Sequence, residues 1–203
     1  MKKLVFIISG VFMFTVLNAQ MSNEDMPNEN ETQSFVAVQG FTISSLGDFS
    51  EDWDEGKGGY VSYGIIYSNN WSLIFQTGYI TFETNDNAPF IGDAKFNMIP
   101  LMVGTRYYIL RDRFRPFLLA MNGINIISTD YSIERPGIPP SIEMREGTEV
   151  KYNFQVGLGL GIIVYKGLEV EFQAKYNSHL LESSIPYNIT GTELGVTINW
   201  NFK

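Results

Sequence analysis

Between Val150 and Val164 the chain keeps two residue sets in strict alternation. One parity reads Val150, Tyr152, Phe154, Val156, Leu158, Leu160, Ile162 and Val164, and the other reads Lys151, Asn153, Gln155, Gly157, Gly159, Gly161 and Ile163. Successive side chains of an extended strand point to opposite faces, so the segment predicts a strand with one bulky apolar face and one polar or bare face. The following run repeats the pattern, with Leu168, Val170, Phe172, Ala174 and Tyr176 set against Glu169, Glu171, Gln173, Lys175, Asn177 and His179. The last run sets Leu194, Val196, Ile198, Trp200 and Phe202 against Glu193, Gly195, Thr197, Asn199 and Asn201. A helix has no use for a period of two.

Eight such runs are read along the chain, near Ser34–Ile43, Lys57–Ser68, Trp71–Glu83, Ala94–Leu110, Arg115–Ser128, Val150–Val164, Leu168–Leu180 and Ile189–Phe202. Their connections alternate in length. Ser44–Gly56, Thr84–Asp93, Thr129–Glu149 and Leu181–Asn188 are long, whereas Asn69-Asn70, Arg111–Phe114 and Tyr165–Gly167 are short. In an up-and-down meander this puts every long loop at one end and both termini, with every short turn, at the other. Outer-membrane barrels are built with short periplasmic turns and long outer loops, and a soluble sandwich has no reason to sort its loops in this way.

Eight-stranded barrels exist in water and in membranes, and they differ in where the large apolar side chains point. An apolar face turned inward would suit a soluble lipocalin-like carrier of small molecules. Glycines at 157, 159 and 161 instead fit the crowded lumen side of a tight barrel, with the apolar face on lipid. The expectation is therefore an all-β fold, an eight-stranded antiparallel up-and-down transmembrane β-barrel. Facing is ambiguous for Phe35–Ile43 and, because of Leu119 and Met121, for the fifth run. Runs of this length cross a bilayer when tilted. Tyr60, Tyr67, Trp71, Tyr79, Tyr107, Tyr108, Tyr152 and Trp200, near strand ends, are candidates for the aromatic girdles.

The N-terminus agrees with this location. Met1-Lys2-Lys3, an apolar stretch from Leu4 to Leu17 and then Asn18-Ala19-Gln20 have the basic, apolar and small-residue order of a secretory signal peptide. We expect a signal peptide over residues 1–19, a polar flexible tail over 20–33 and the barrel over 34–203. Loss of Lys2 and Lys3 takes the formal charge from −8 to −10, which argues against nucleic acid as a partner. With no cysteine there is no disulfide, no thiolate metal site and no lipoprotein anchor.

The fourth and fifth runs hold Ile99-Pro100-Leu101, then Gly104-Thr105-Arg106-Tyr107-Tyr108, then Arg115-Pro116-Phe117-Leu118. This resembles the outer-membrane β-barrel domain of Bacteroidota labelled PorT-like, over about Ser34 to Lys203. The resemblance implies a location in the outer membrane more than a mechanism, since the family includes a component linked to protein secretion and many members without an assigned activity. Phe202, one residue from the end of the chain, resembles the C-terminal signal read by barrel assembly machinery.

Candidate chemistry is sparse. Arg106 and Glu171 fall at similar depth on the lumen parity, as do Lys175 and Glu193 on neighbouring strands, so each pair is a candidate structural ion pair, because buried charges are tolerated when paired. His179, near the outer end of the seventh run, is the one histidine and the only candidate base for a lipid A-modifying enzyme. Asp48, Glu51, Asp52, Asp54 and Glu55 cluster in the first long loop without the spacing of a calcium-binding loop. No catalytic, cofactor or metal site is expected. The function expected is that of a non-enzymatic barrel in a structural, adhesive or secretion and assembly role, acting through its outer loops. Its partners would be outer-membrane lipid, the assembly machinery and an extracellular or secretion-system protein, with both termini in the periplasm. The alternatives are the lipid A enzyme and the soluble carrier.

Overall fold

The computed structural model describes residues 33–47, 49–68, 70–85, 94–110, 113–135, 141–165, 167–179 and 190–202. The signal peptide and nearly all of the tail read from the sequence lie outside these residues. Eight strands, β1 (Gln33–Leu46), β2 (Trp53–Ile66), β3 (Trp71–Thr84), β4 (Lys95–Tyr108), β5 (Phe114–Arg135), β6 (Ser141–Tyr165), β7 (Leu168–His179) and β8 (Thr190–Phe202), follow one another, with a short helix α1 (Phe49–Asp52) between the first two. Each pairs antiparallel with the next, and β1 pairs with β8 from Ser34↔Phe202 to Leu46↔Thr190, closing the barrel. Closure leaves no strand edge exposed within the barrel wall, the condition for crossing a bilayer with strands.

The parities sort as the alternation requires. Leu158, Leu194, Ile198 and Trp200 point outward, each about 60% exposed, while Glu169, Glu171, Lys175 and Glu193 are buried inside. A soluble carrier needs the reverse arrangement, so the carrier alternative is overturned. The two ambiguous strands resolve as well: Phe35, Ala37, Phe41 and Ile43 of β1 face inward, as do Phe117, Leu119 and Met121 of β5. Both interior sets are mostly apolar, Gln39 and Asn125 excepted, because the polar and charged lining is concentrated on one side of the lumen. β6, β7 and β8 line it with Lys151, Asn153, Gln155, Glu169, Glu171, Lys175, Asn177 and Asn199, whereas Ile74, Ile80, Phe82, Phe96, Met98, Met102 and Ile127 cover the wall opposite.

Glycine makes room for the lumen rings. A Cβ on Gly159 would overlap the Phe117 ring, and one on Gly64 the Phe35 ring. The two-strand turn at Gly167 needs a left-handed residue, φ +83°, and only glycine adopts it freely. Its carbonyl accepts from Asn201 N at 2.7 Å. Pro100 has no N–H to donate, and the β3–β4 ladder is interrupted there, between Thr77↔Leu101 and Ile80↔Met98.

Three expectations need correction. Thr129–Glu149 is not a loop for most of its length: β5 and β6 stay paired through Ser128↔Thr148 to Arg135↔Ser141, leaving the proline-rich 136–140 outside the described residues. Outside hydrocarbon a paired strand needs no apolar face, so the period-two signal fades while the pairing continues. Ser44–Gly56 is largely structured too, since β1 runs to Leu46 and α1 leads directly into β2. Tyr60 and Tyr108 are not girdle residues but fully buried lumen residues, while Tyr79 and Trp200 face outward.

Candidate functional site

The interior is the most heavily built part of the molecule. Glu193 of β8 is its hub. Its Oε1 accepts from Lys175 Nζ at 2.7 Å and from Gln39 Nε2 at 2.8 Å, and its Oε2 accepts from Tyr60 Oη at 2.9 Å and Asn177 Nδ2 at 3.4 Å. Lys175 also donates to Gln39 Oε1 at 3.3 Å and lies 4.5 Å from the Tyr60 ring centroid. Four strands, β1, β2, β7 and β8, thus meet on one carboxylate.

Nearer the short-turn end, Arg106 Nη1 of β4 reaches across the lumen to Glu171 Oε1 of β7 and donates to Tyr108 Oη at 3.0 Å. Its guanidinium lies over the Phe117 ring, 4.4 Å from the centroid, and beside that of Phe35, a cation–π arrangement that favours arginine. Asn199 Nδ2 gives Glu171 a second donor at 2.8 Å. Glu169, two residues along β7, binds Arg115 at 3.2 Å. Arg106 with Glu171 and Lys175 with Glu193 are therefore brought together as pairs, while Arg115 and Glu169 form a third pair not anticipated from the sequence.

The opposite end is closed by rings. Phe49 of α1 and Trp53 at the start of β2 are buried against Phe82 and Phe96, with Phe49 centroids 5.1 Å from each. Carboxylates dominate this loop and conceal the signal, which is two large aromatics four positions apart among charges. Asp54 and Glu55 are exposed and Asp48 is outside the described residues; no cluster able to hold a metal ion is found among the described residues. His179 pairs through its backbone with Asn153, and its side chain lies outside the described part.

A family model for the outer membrane protein beta-barrel domain matches residues 10–202. This chain belongs to that family. Membership places the barrel in the outer membrane of a Gram-negative cell, and no described helix is long and apolar enough to cross a membrane. Its fold is similar to that of Neisserial surface protein A (15% identity, TM-score 0.58, 85% of this chain and 100% of the other). It is also similar to Ail of Yersinia pestis (13%, 0.55, 85% and 99%) and to a major outer membrane protein of Thermus thermophilus (9%, 0.57, 83% and 99%). At these identities the likeness concerns the fold alone. No curated protein matches the sequence.

The loop end of this barrel carries the β5–β6 ribbon. β4 leaves β5 at Lys95↔Asp130 and β7 meets β6 first at Asn153↔His179. Beyond those points the described parts of β5 and β6 pair only with each other. The two ends also differ in charge. Segments 44–56, 84–93 and 181–189 contain no lysine or arginine, and Arg135 and Arg145 are the only two in 129–149, against many acidic residues. In the sequence, Arg111, Arg113, Arg115 and Lys166 belong to the two short turns β4–β5 and β6–β7 and their edges, and Lys203 follows β8.

Proposed function

We propose that this chain is a non-enzymatic outer-membrane barrel that acts through its loop end, with the β5–β6 ribbon holding a protein partner in an adhesive, structural or secretion and assembly role. The observation that carries the reading is the ladder continuing to Arg135↔Ser141 after both neighbouring strands have ended. At 3.4 Å per residue, Tyr131–Arg135 alone carries the ribbon about 17 Å past β4. Rigid scaffolds that present such arms are suited to binding. By the usual arrangement of these barrels, the ribbon faces the outside and both termini the periplasm.

The filled interior supports the same reading. An eight-stranded barrel is just wide enough for side chains to fill, and the buried carboxylates Glu171 and Glu193 are each bound to a cation, which withholds them from acid–base chemistry and from a diffusion path. The acidic loop end favours a basic protein surface. A structure of Ail holds the heparin analogue sucrose octasulfate; a polyanion of that kind would be repelled by the acidic loop end described above. Ile99-Pro100-Leu101 and the Gly104–Tyr108 segment support a PorT-like branch and a Bacteroidota source.

The test replaces residues 131–145 by Asn-Gly, a two-residue hairpin turn. The variant should still show the heat-dependent gel shift of a closed barrel, while cells carrying it lose adherence and the surface protein that crosslinks to the intact chain. Unchanged adherence and crosslinking with an intact barrel would overturn the reading.

A further inference from the structure

On β5 the inward residues are Phe117, Leu119, Met121, Asn125 and Ile127, which leaves Pro116, Leu118, Ala120, Asn122, Ile124, Ile126 and Ser128 as the outward parity. Asn122 lies midway between Pro116 and Ser128 on that lipid-facing row, with apolar residues on both sides. Its ladder partners are Val103 on β4 and Phe154 on β6, neither of which has a hydrogen-bonding side chain. Among the described residues no group hydrogen-bonds the Asn122 amide, which is half-buried against the wall.

A primary amide at this depth is in the wrong medium. Water does not enter the hydrocarbon core, and lipid headgroups begin about 15 Å away, half the thickness of that core. An amide left there without a partner is costly, and polar residues facing the membrane interior generally find a protein group. The opposite wall carries no outward carboxamide: Val36, Val38, Leu194, Val196 and Ile198 are apolar, and its outward polar groups include the hydroxyls of Thr42 and Thr192.

We propose that this face of β4 and β5 docks a second copy of the chain, with Asn122 of one copy hydrogen-bonded to Asn122 of the other across a two-fold axis along the membrane normal. The amide itself selects this partner. A carboxamide carries both donor and acceptor, so two identical amides satisfy each other, and a two-fold interface brings each residue on the axis against its own counterpart. Ala120, next outward on the strand, and Thr105, its partner on β4, are short and let a second wall approach.

The chain has no cysteine, so single thiols report proximity directly. Ala120→Cys keeps Asn122 and places a thiol beside it, and Val38→Cys does the same on the opposite wall. The full mature chain is folded into phospholipid vesicles at low protein density and treated with a bis-maleimide that spans about 10 Å, the spacing of two packed sheets. The heat-dependent gel shift confirms folding of each variant. Several-fold more crosslinked dimer from Ala120→Cys than from Val38→Cys, falling to the Val38→Cys level when Asn122→Leu is added, is the expected result. Equal yields from the two walls, or a yield unaffected by Asn122→Leu, would overturn the proposal.

Discussion

Removing one member of the Lys175–Glu193 pair strands the other in the lumen, and the structure says which loss is worse. Both side chains are fully buried and 2.7 Å apart. Deleting one partner of a buried pair costs about 3–5 kcal/mol. In Lys175→Met the carboxylate of Glu193 keeps Gln39, Tyr60 and Asn177 as donors, so the loss belongs at the lower end, about 3 kcal/mol. In Glu193→Gln the ammonium loses its counter-charge and keeps only neutral partners, the new amide oxygen, the Gln39 carbonyl at 3.3 Å and the Tyr60 ring. The new amide also turns an N–H₂ toward the Asn177 and Tyr60 donors, which must reorient, and with a buried ammonium left uncompensated this loss belongs at the upper end, about 5 kcal/mol. The double variant contains no unpaired charge and falls short of the sum by about 2–3 kcal/mol. Urea titration of the barrel in lipid vesicles, followed by tryptophan fluorescence and the gel shift, measures all three. Single losses below about 1 kcal/mol, or an additive double variant, would show that the pair is solvated and the hub reasoning wrong.

Three further outcomes follow from packing and exposure. Gly159→Ala puts a methyl group into the Phe117 ring and the Phe172 carbonyl and should destabilise the barrel by about 1–3 kcal/mol in the same titration, as overpacking does. Phe49→Ala empties the centre of the ring cluster at the loop end and should cost about 3 kcal/mol, with Trp53 emission shifting to the red as water enters. Lys57 and Glu83 make a 2.9 Å pair on the surface, and because exposed pairs contribute little, Lys57→Ala should leave the urea midpoint unmoved.

How much of this was legible depended on what each strand meets on its two sides. β6, β7 and β8 separate cleanly because lipid on one side and charged partners on the other leave no residue type in common. β1 and β5 resist the same reading since Phe41 and Leu119 are as apolar as the lipid-facing Val38 and Leu118, and a lumen side lined mainly by rings and aliphatics makes both of their faces mostly apolar. The Arg106–Glu171 and Lys175–Glu193 pairs were readable because a charge on a lumen parity must find an opposite charge at its own height. Arg115 with Glu169 escaped notice because Arg115 lies at the strand end, where water is an equal alternative. The ribbon was hidden for the opposite reason, as pairing outside the bilayer is enforced by backbone hydrogen bonds and leaves little mark on side-chain type.

The one-sided polar lining of the lumen bears on how such a chain reaches its final state. Among the described residues, Arg106 is the one buried cation on β1 to β4, and its carboxylate lies on β7. Glu193, on the last strand, draws donors from Gln39 on the first and Tyr60 on the second. Lys175 with Glu193 and Arg115 with Glu169 pair within β5 to β8, but Arg106 on β4 and Glu171 on β7 have only each other across the lumen, so a partly closed sheet would leave that pair open. Zippering of backbone hydrogen bonds at the β1–β8 seam and charge compensation across the lumen must therefore be completed together, which makes closure an all-or-none step governed by the ends of the chain.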